Sequence, residues 1–175
     1  MIRTDLLETL KEFLKSIPDE RFNLLFWRKG SVESGMYISD LDLHTDCGTS
    51  ACAMGWAAAL PEFRLAGLSF EGSSIVLRNK DGDFLYDDFY AVKEVFGFRD
   101  FDVGNCLFSN AYYTEDEDCE KNIVKPERVI SRIEKLLALL EIPEGKTLSS
   151  RRLANWEAGA EQEFIRCCSM NPTTY

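Results

Sequence analysis

The most constrained residue types in the chain run Cys47-Gly48-Thr49-Ser50-Ala51-Cys52-Ala53-Met54-Gly55-Trp56-Ala57. Two cysteines flank small residues, and a Gly-Trp pair follows. Gly48 suits a tight turn, and Thr49 or Ser50 can supply an N-cap oxygen to a helix over 51–60. Cys52 then falls in the first helical turn, where free amides and the helix dipole favour a thiolate. That is the chemistry of a cysteine nucleophile, which also needs a general base. The sole histidine, His44, lies just upstream. Cys52 and His44 are therefore the catalytic pair of a hydrolase reading. The competing and leading account makes Cys47 and Cys52 small buried hydrophobes at a tightly packed helix entry. Gly55 sits inside that helix, where glycine costs about 1 kcal/mol against alanine. Its presence before Trp56 predicts close approach by another element.

Metal binding is the second chemistry to weigh. Residues 36–46 alternate and predict a strand, with Tyr37, Leu41 and Leu43 on one face and Asp40, Asp42, His44 and Asp46 on the other. Such a face offers oxygen ligands to Mg or Mn. If any metal were held, His44, Cys47 and Asp42 are the first ligands to test. The spacing lacks the two-residue knuckles of a zinc site, and a polar strand face is ordinarily a solvated one. No metal and no other cofactor is expected.

A third possibility is recognition of a partner. Glu115, Asp116, Glu117 and Asp118 form an acidic loop, preceded by Tyr112 and Tyr113. Together they are the expected binding residues, the carboxylates facing Arg or Lys of a partner. The whole chain carries 30 acidic against 20 basic residues, a net charge of -10. That balance argues against direct nucleic-acid binding and against anionic membranes. It fits a protein partner with a basic surface. The composition leaves the oligomeric state open.

The elements that must position these groups follow from periodicity and punctuation. With 175 residues, 45% of them hydrophobic, the chain is expected to form one domain with a real core. Leu6, Leu7, Leu10, Phe13, Leu14 and Ile17 share a helical face, with Thr4 or Asp5 as cap, Asp5 and Glu8 as a capping box, and Pro18 as terminator. Residues 21–27 read as a buried extended segment and 51–60 as the central helix, stopped by Pro61. Residues 65–86 read as antiparallel strands, with Asp81-Gly82 as a hairpin turn. Short helices follow Asp87 or Asp88 and Asp100 or Asp102, the first ended by Gly97. Pro126 opens a helix with Val129, Ile130, Ile133, Leu136, Leu137 and Leu140 as its stripe. A last helix over 149–168 carries Leu153, Trp156, Ala160, Phe164 and Cys167 on one face. Trp27, Trp56 and Trp156 are assigned to the core. The start of the chain leads into a charged amphipathic helix, no apolar run is long enough to span a bilayer, and a vicinal Cys167-Cys168 makes a poor disulfide framework. A cytoplasmic protein with free thiols is expected.

The core motif Cys47-Gly48-Thr49, Cys52, Gly55-Trp56-Ala57 resembles that of a loose set of small uncharacterised bacteriophage, prophage and bacterial proteins. A second match is Ala91-Val92-Lys93-Glu94-Val95-Phe96-Gly97-Phe98 followed by Leu107-Phe108. The resemblance covers about residues 4–141; residues 28–46 and a helical extension over 142–175 stand outside it. It implies a phage-type setting, in the host cytoplasm, with a bias towards host takeover or defence inhibition. The expected fold is α+β, an α-rich single domain over 1–175 with a small antiparallel sheet. The expected function is a non-enzymatic acidic accessory protein that binds another macromolecule; the alternative is the Cys52/His44 or metal-dependent hydrolase.

Overall fold

A computed structural model describes residues 1–30, 38–46, 48–113, 124–142 and 148–170, with the side chains of 169 and 170 excepted. The fold is α+β: helices dominate, and the described strands form two small antiparallel sheets. Leu6, Leu7, Leu10 and Leu14 recur at helical spacing in α1 (Thr4–Leu14) and are all buried. Burying such side chains supplies about 1.5–3 kcal/mol each. Against expectation, neither Thr4 nor Asp5 caps this helix: Arg3 is the N-cap residue, without a side-chain cap, and Asp5 pairs with Arg3 at 2.7 Å.

A 3-10 turn over Asp19–Arg21 leads to Phe22, which bridges Ala51 in parallel. β1 (Arg28–Lys29) then pairs antiparallel with β2 (Ser50–Ala51), Arg28 opposite Ala51. The segment expected to be extended over 21–27 is thus irregular, and regular pairing begins one residue later. Between the two strands, the expected strand over 36–46 is instead α2 (Asp40–Thr45) where it is described. Ser39 and Asp42 form a reciprocal capping box, the Asp42 amide donating to Ser39 Oγ and the Ser39 amide to Asp42 Oδ2, each at 3.1 Å. Two orphan amides are satisfied by that pair, and the cap outweighs an alternation only a few residues long. Asp40, Asp42 and His44 therefore do not share one strand face.

The central helix is shorter than expected, α3 (Ala53–Ala57), and Pro61 does not simply stop it. Pro61 is the first residue of α4 (Pro61–Leu65), with Leu60 as N-cap. That position tolerates proline because its missing N–H would lack a helical acceptor anyway. β3 (Leu68–Glu71), β4 (Ser74–Arg78) and β5 (Phe84–Asp87) form a three-stranded meander in the order β3-β4-β5. α5 (Asp88–Phe96) ends at Gly97, whose φ of 70° is left-handed. α6 (Phe101–Phe108) is capped by Asp100, which accepts from the Asp102 amide at 2.9 Å.

α7 (Pro126–Leu140) packs on α1, α6 and α8 (Ser150–Met170), and α8 packs on α6. The buried face of α8 differs in phase from the expected stripe. Ala160 and Phe164 are buried as expected, but Trp156 is exposed and Leu153 only half-buried, while Glu157 and Glu161 are buried. Each carboxylate reaches a distant backbone amide. Glu157 Oε1 accepts from Ile2 at 3.1 Å, and Glu161 Oε1 accepts from Arg99 at 2.9 Å. Buried carboxylates persist where such donors replace water. The chain start is held on its other side by the Arg3 amide, which donates to the Phe96 carbonyl at 2.8 Å.

Candidate functional site

The central motif is a junction between the loop after α2, β2 and the entry of α3. Thr49 Oγ donates to the Asp46 carbonyl at 2.8 Å and accepts from the Arg21 guanidinium at 3.1 Å. Arg21 also donates to the carbonyl of Leu43 and stacks 5.1 Å from the Trp56 ring centroid. The Trp56 indole N–H returns to the Arg21 carbonyl at 3.2 Å. Gly48, in a turn, donates its amide to Asp46 Oδ1 at 2.8 Å. Cys47 lies outside the described residues.

Cys52 is not in the first turn of the helix but is its N-cap. Its Sγ accepts from the Gly55 amide at 3.3 Å, and its own amide donates to the carbonyls of Phe26 and Trp27 at 3.1 and 3.2 Å. Burial pushes the thiol up to about 11, against the opposing pull of the Gly55 amide and of Arg28. The expected thiolate is therefore absent at neutral pH. His44 packs against the edge of Trp56, ring centroids 5.8 Å apart. Among the described residues no hydrogen bond joins His44 to Cys52, so the structure does not assemble the nucleophile–base pair.

Of the candidate metal ligands, Asp42 and His44 are engaged in other contacts, and Cys47 lies outside the described residues. The Asp42 carboxylate is held below its usual range by the Ser39 hydroxyl and amide of its own capping box. Asp40 faces Arg28 and Arg64. Among the described residues no group of three or more His, Cys, Asp or Glu could hold a metal ion.

Of the expected contact residues, Tyr113 is buried rather than exposed. Its hydroxyl donates to the Leu107 carbonyl at 2.5 Å, and its ring lies 3.6 Å below the Arg132 guanidinium. Tyr112 is half-buried, and its carbonyl accepts from Arg132. The Tyr pair is therefore tied to α6 and α7 through Leu107 and Arg132. Glu115, Asp116, Glu117 and Asp118 lie outside the described residues.

A group that sequence reasoning missed is Arg28. Its Nε donates to the Gly55 carbonyl at 3.0 Å and its Nη1 to the Ile38 carbonyl at 3.2 Å. Its Nη2 stands 2.7 Å from Asp40 Oδ1, an ion-pair contact without aligned hydrogen-bond geometry, and its side chain is 1% exposed. The guanidinium lies 4.4 Å from the Phe70 ring centroid. Burial pulls it below its ordinary value, and the adjacent Asp40 carboxylate opposes that pull. A lone arginine in an aromatic run carries no mark of such burial.

Arg28 stands at the floor of a groove of about 640 Å³. Its walls include Trp27, Phe70, Phe89 and Phe108, with Trp27 and Phe89 ring centroids 5.1 Å apart. Leu25 and Phe26 at its rim are about half exposed. Among the described lining residues there is no cysteine, histidine or carboxylate. Volume and lining suit an apolar side chain or small ligand. Also among the described residues, no helix is long and apolar enough to cross a membrane. Comparison with protein-family models, with curated proteins and with solved structures finds no match to this chain.

Proposed function

We propose that this chain is a non-enzymatic binding protein that engages a protein partner with a basic surface. One observation carries the reading. The apolar groove beside the exposed Leu25 and Phe26 has room for an anchoring side chain, yet its described lining offers no Cys, His or carboxylate for catalysis. The net charge of -10 supplies the attraction to a basic partner. Charge of that kind raises association rates, while the buried anchor sets residence time. On the resemblance of its core motif to phage and bacterial proteins, the proposed setting is the host cytoplasm. Inhibition of a host-defence protein is the specific form of the reading.

The test compares three folded variants in affinity capture from a bacterial lysate, followed by salt titration with the partner so identified. Neutralising Glu115, Asp116, Glu117 and Asp118 should slow association and flatten its salt dependence. Phe26→Lys should shorten the complex lifetime. Cys52→Ser should leave capture unchanged. A folded Cys52→Ser without activity, beside a fully active acidic-loop variant, would sink this reading in favour of a cysteine hydrolase.

A further inference from the structure

Cys106 in α6 and Cys168 near the end of α8 bring their thiols close together across the α6–α8 packing, and both are free. Cys168 is half-buried and lines a cavity of about 40 Å³ with Arg128, Ser131, Arg132 and Lys135. Those four residues recur at three- and four-residue intervals on one face of α7. Arg132 is fixed in place. It donates to the carbonyls of Cys106 and Tyr112, and its guanidinium lies over the Tyr113 ring. The cavity has room for more than one water-sized molecule, so it admits hydrogen peroxide.

We propose that Cys168 is a hydrogen-peroxide-reactive thiol and Cys106 its resolving partner, so that oxidation closes a disulfide between α6 and α8. In the first step the Cys168 thiolate attacks one peroxide oxygen. An S–O bond forms and the O–O bond breaks. The sulfur loses two electrons, and the departing hydroxide takes a proton to leave as water. Lys135 and Arg132 stabilise the anionic sulfur before attack. In the second step the Cys106 sulfur attacks the Cys168 sulfenic acid. The S–S bond forms, the S–O bond breaks, and the Cys106 proton leaves with hydroxide as a second water. Closing the disulfide brings the two neighbouring sulfurs to roughly 2.05 Å.

The environment assigns the order of attack. The neighbouring Cys106 thiol lowers Cys168; burial opposes this, and Arg132 and Lys135 assist it. Cys106 is driven up by the neighbouring Cys168 thiol, by burial and by the charge of Cys168, with Asp102 adding to the rise and Arg132 opposing it. Cys106 therefore keeps its proton. Cys167 points elsewhere, its Sγ donating to Glu163 Oε1 at 3.6 Å. Adjacent residues of a helix do not face each other, so Cys167 is the internal control.

The reduced full-length protein is treated with equimolar hydrogen peroxide and mapped by non-reducing peptide mass spectrometry. A Cys106–Cys168 disulfide is expected in wild type and in Cys167→Ser, and none in Cys168→Ser. In Cys106→Ala, dimedone should trap a sulfenic acid at Cys168. Iodoacetamide labelling of Cys168 should titrate with a midpoint below that of an ordinary thiol, because the Cys106 thiol, Arg132 and Lys135 favour the thiolate. A disulfide that instead joins Cys167 to Cys168, or pairs formed chiefly through Cys47 or Cys119, would overturn the assignment. So would a labelling midpoint near the usual value of about 8.5. The wild-type map decides the question even if the Cys106 variant does not fold.

Discussion

A Cβ on Gly55 would stand 1.7 Å from the Trp27 carbonyl oxygen. That oxygen also accepts from the Cys52 amide, so it cannot withdraw without opening the helix entry. Close approach of backbone to backbone is what glycine at this position provides. Gly55→Ala should destabilise the fold by about 2 kcal/mol, or about 4–8 °C in Tm for a chain of this size. Thermal unfolding followed by circular dichroism reads the change, and an unaltered Tm would remove the packing account.

Arg28 and Asp40 should couple. Asp40→Asn leaves a buried guanidinium without its counter-charge, which costs about 3–5 kcal/mol for a fully buried pair. The Asp40 side chain is 32% exposed, so the loss should fall at about 3 kcal/mol. Arg28→Met removes the cation together with its bonds to the Gly55 and Ile38 carbonyls. The double variant should be more stable than the sum of the single losses by about 1 kcal/mol or more. Urea unfolding of the three variants measures the coupling, and strict additivity would mean that the contact contributes nothing.

Cys52 should be chemically silent in the folded protein. With its thiol pushed up to about 11 by burial, almost no thiolate exists at pH 7. Native-state labelling with a disulfide reagent should spare Cys52 completely, and labelling in guanidinium should include it. Rapid native labelling at Cys52 would restore the nucleophile.

Glu161 gives a pH dependence with a definite sign. Burial, its leading influence, raises its pKa despite the Arg99 and Asp100 amides. A carboxyl whose folded pKa exceeds its unfolded value binds protons more tightly when folded, so stability falls as pH rises through that window. The window opens at about 4.3, the unperturbed Glu value. Glu161→Gln cannot ionise, so its Tm relative to wild type should climb as pH rises from 4 through the raised pKa and then level off. A difference independent of pH would show that Glu161 is not charged against a burial penalty.

Much of the frame was legible because punctuation and periodicity agreed. Gly97 ends α5, Asp100 caps α6, Pro126 opens α7, and Asp81-Gly82 turns the meander. The misreadings arose where two patterns overlapped on few residues. Leu41 and Leu43 alternate, but Ser39 and Asp42 carry a capping box, and in six residues the cap decides. Pro61 fits both the end of one helix and the start of another; Leu60 in extended geometry selects the start. On α8, apolar residues at Leu153 and Trp156 set the expected phase. The actual phase is set by Glu157 and Glu161, whose carboxylate oxygens accept from amides 155 and 62 residues away, respectively. Arg28 was invisible for the same reason, since its partners at Ile38, Asp40 and Gly55 are fixed only by tertiary structure.

The bond between the Ile2 amide and Glu157 also sets a timetable. The two residues are separated by 155 positions. At about 5–20 residues per second of synthesis, about 8 to 30 seconds pass between the making of the donor and the making of its acceptor. Through that interval the apolar face of α1 has been made while α8 is incomplete, and α7 is finished only at residue 140. Contacts this distant in sequence slow folding in any setting. The segment around Ile2 thus gains this bond late, and a nascent chain stalled before residue 157 is left without it.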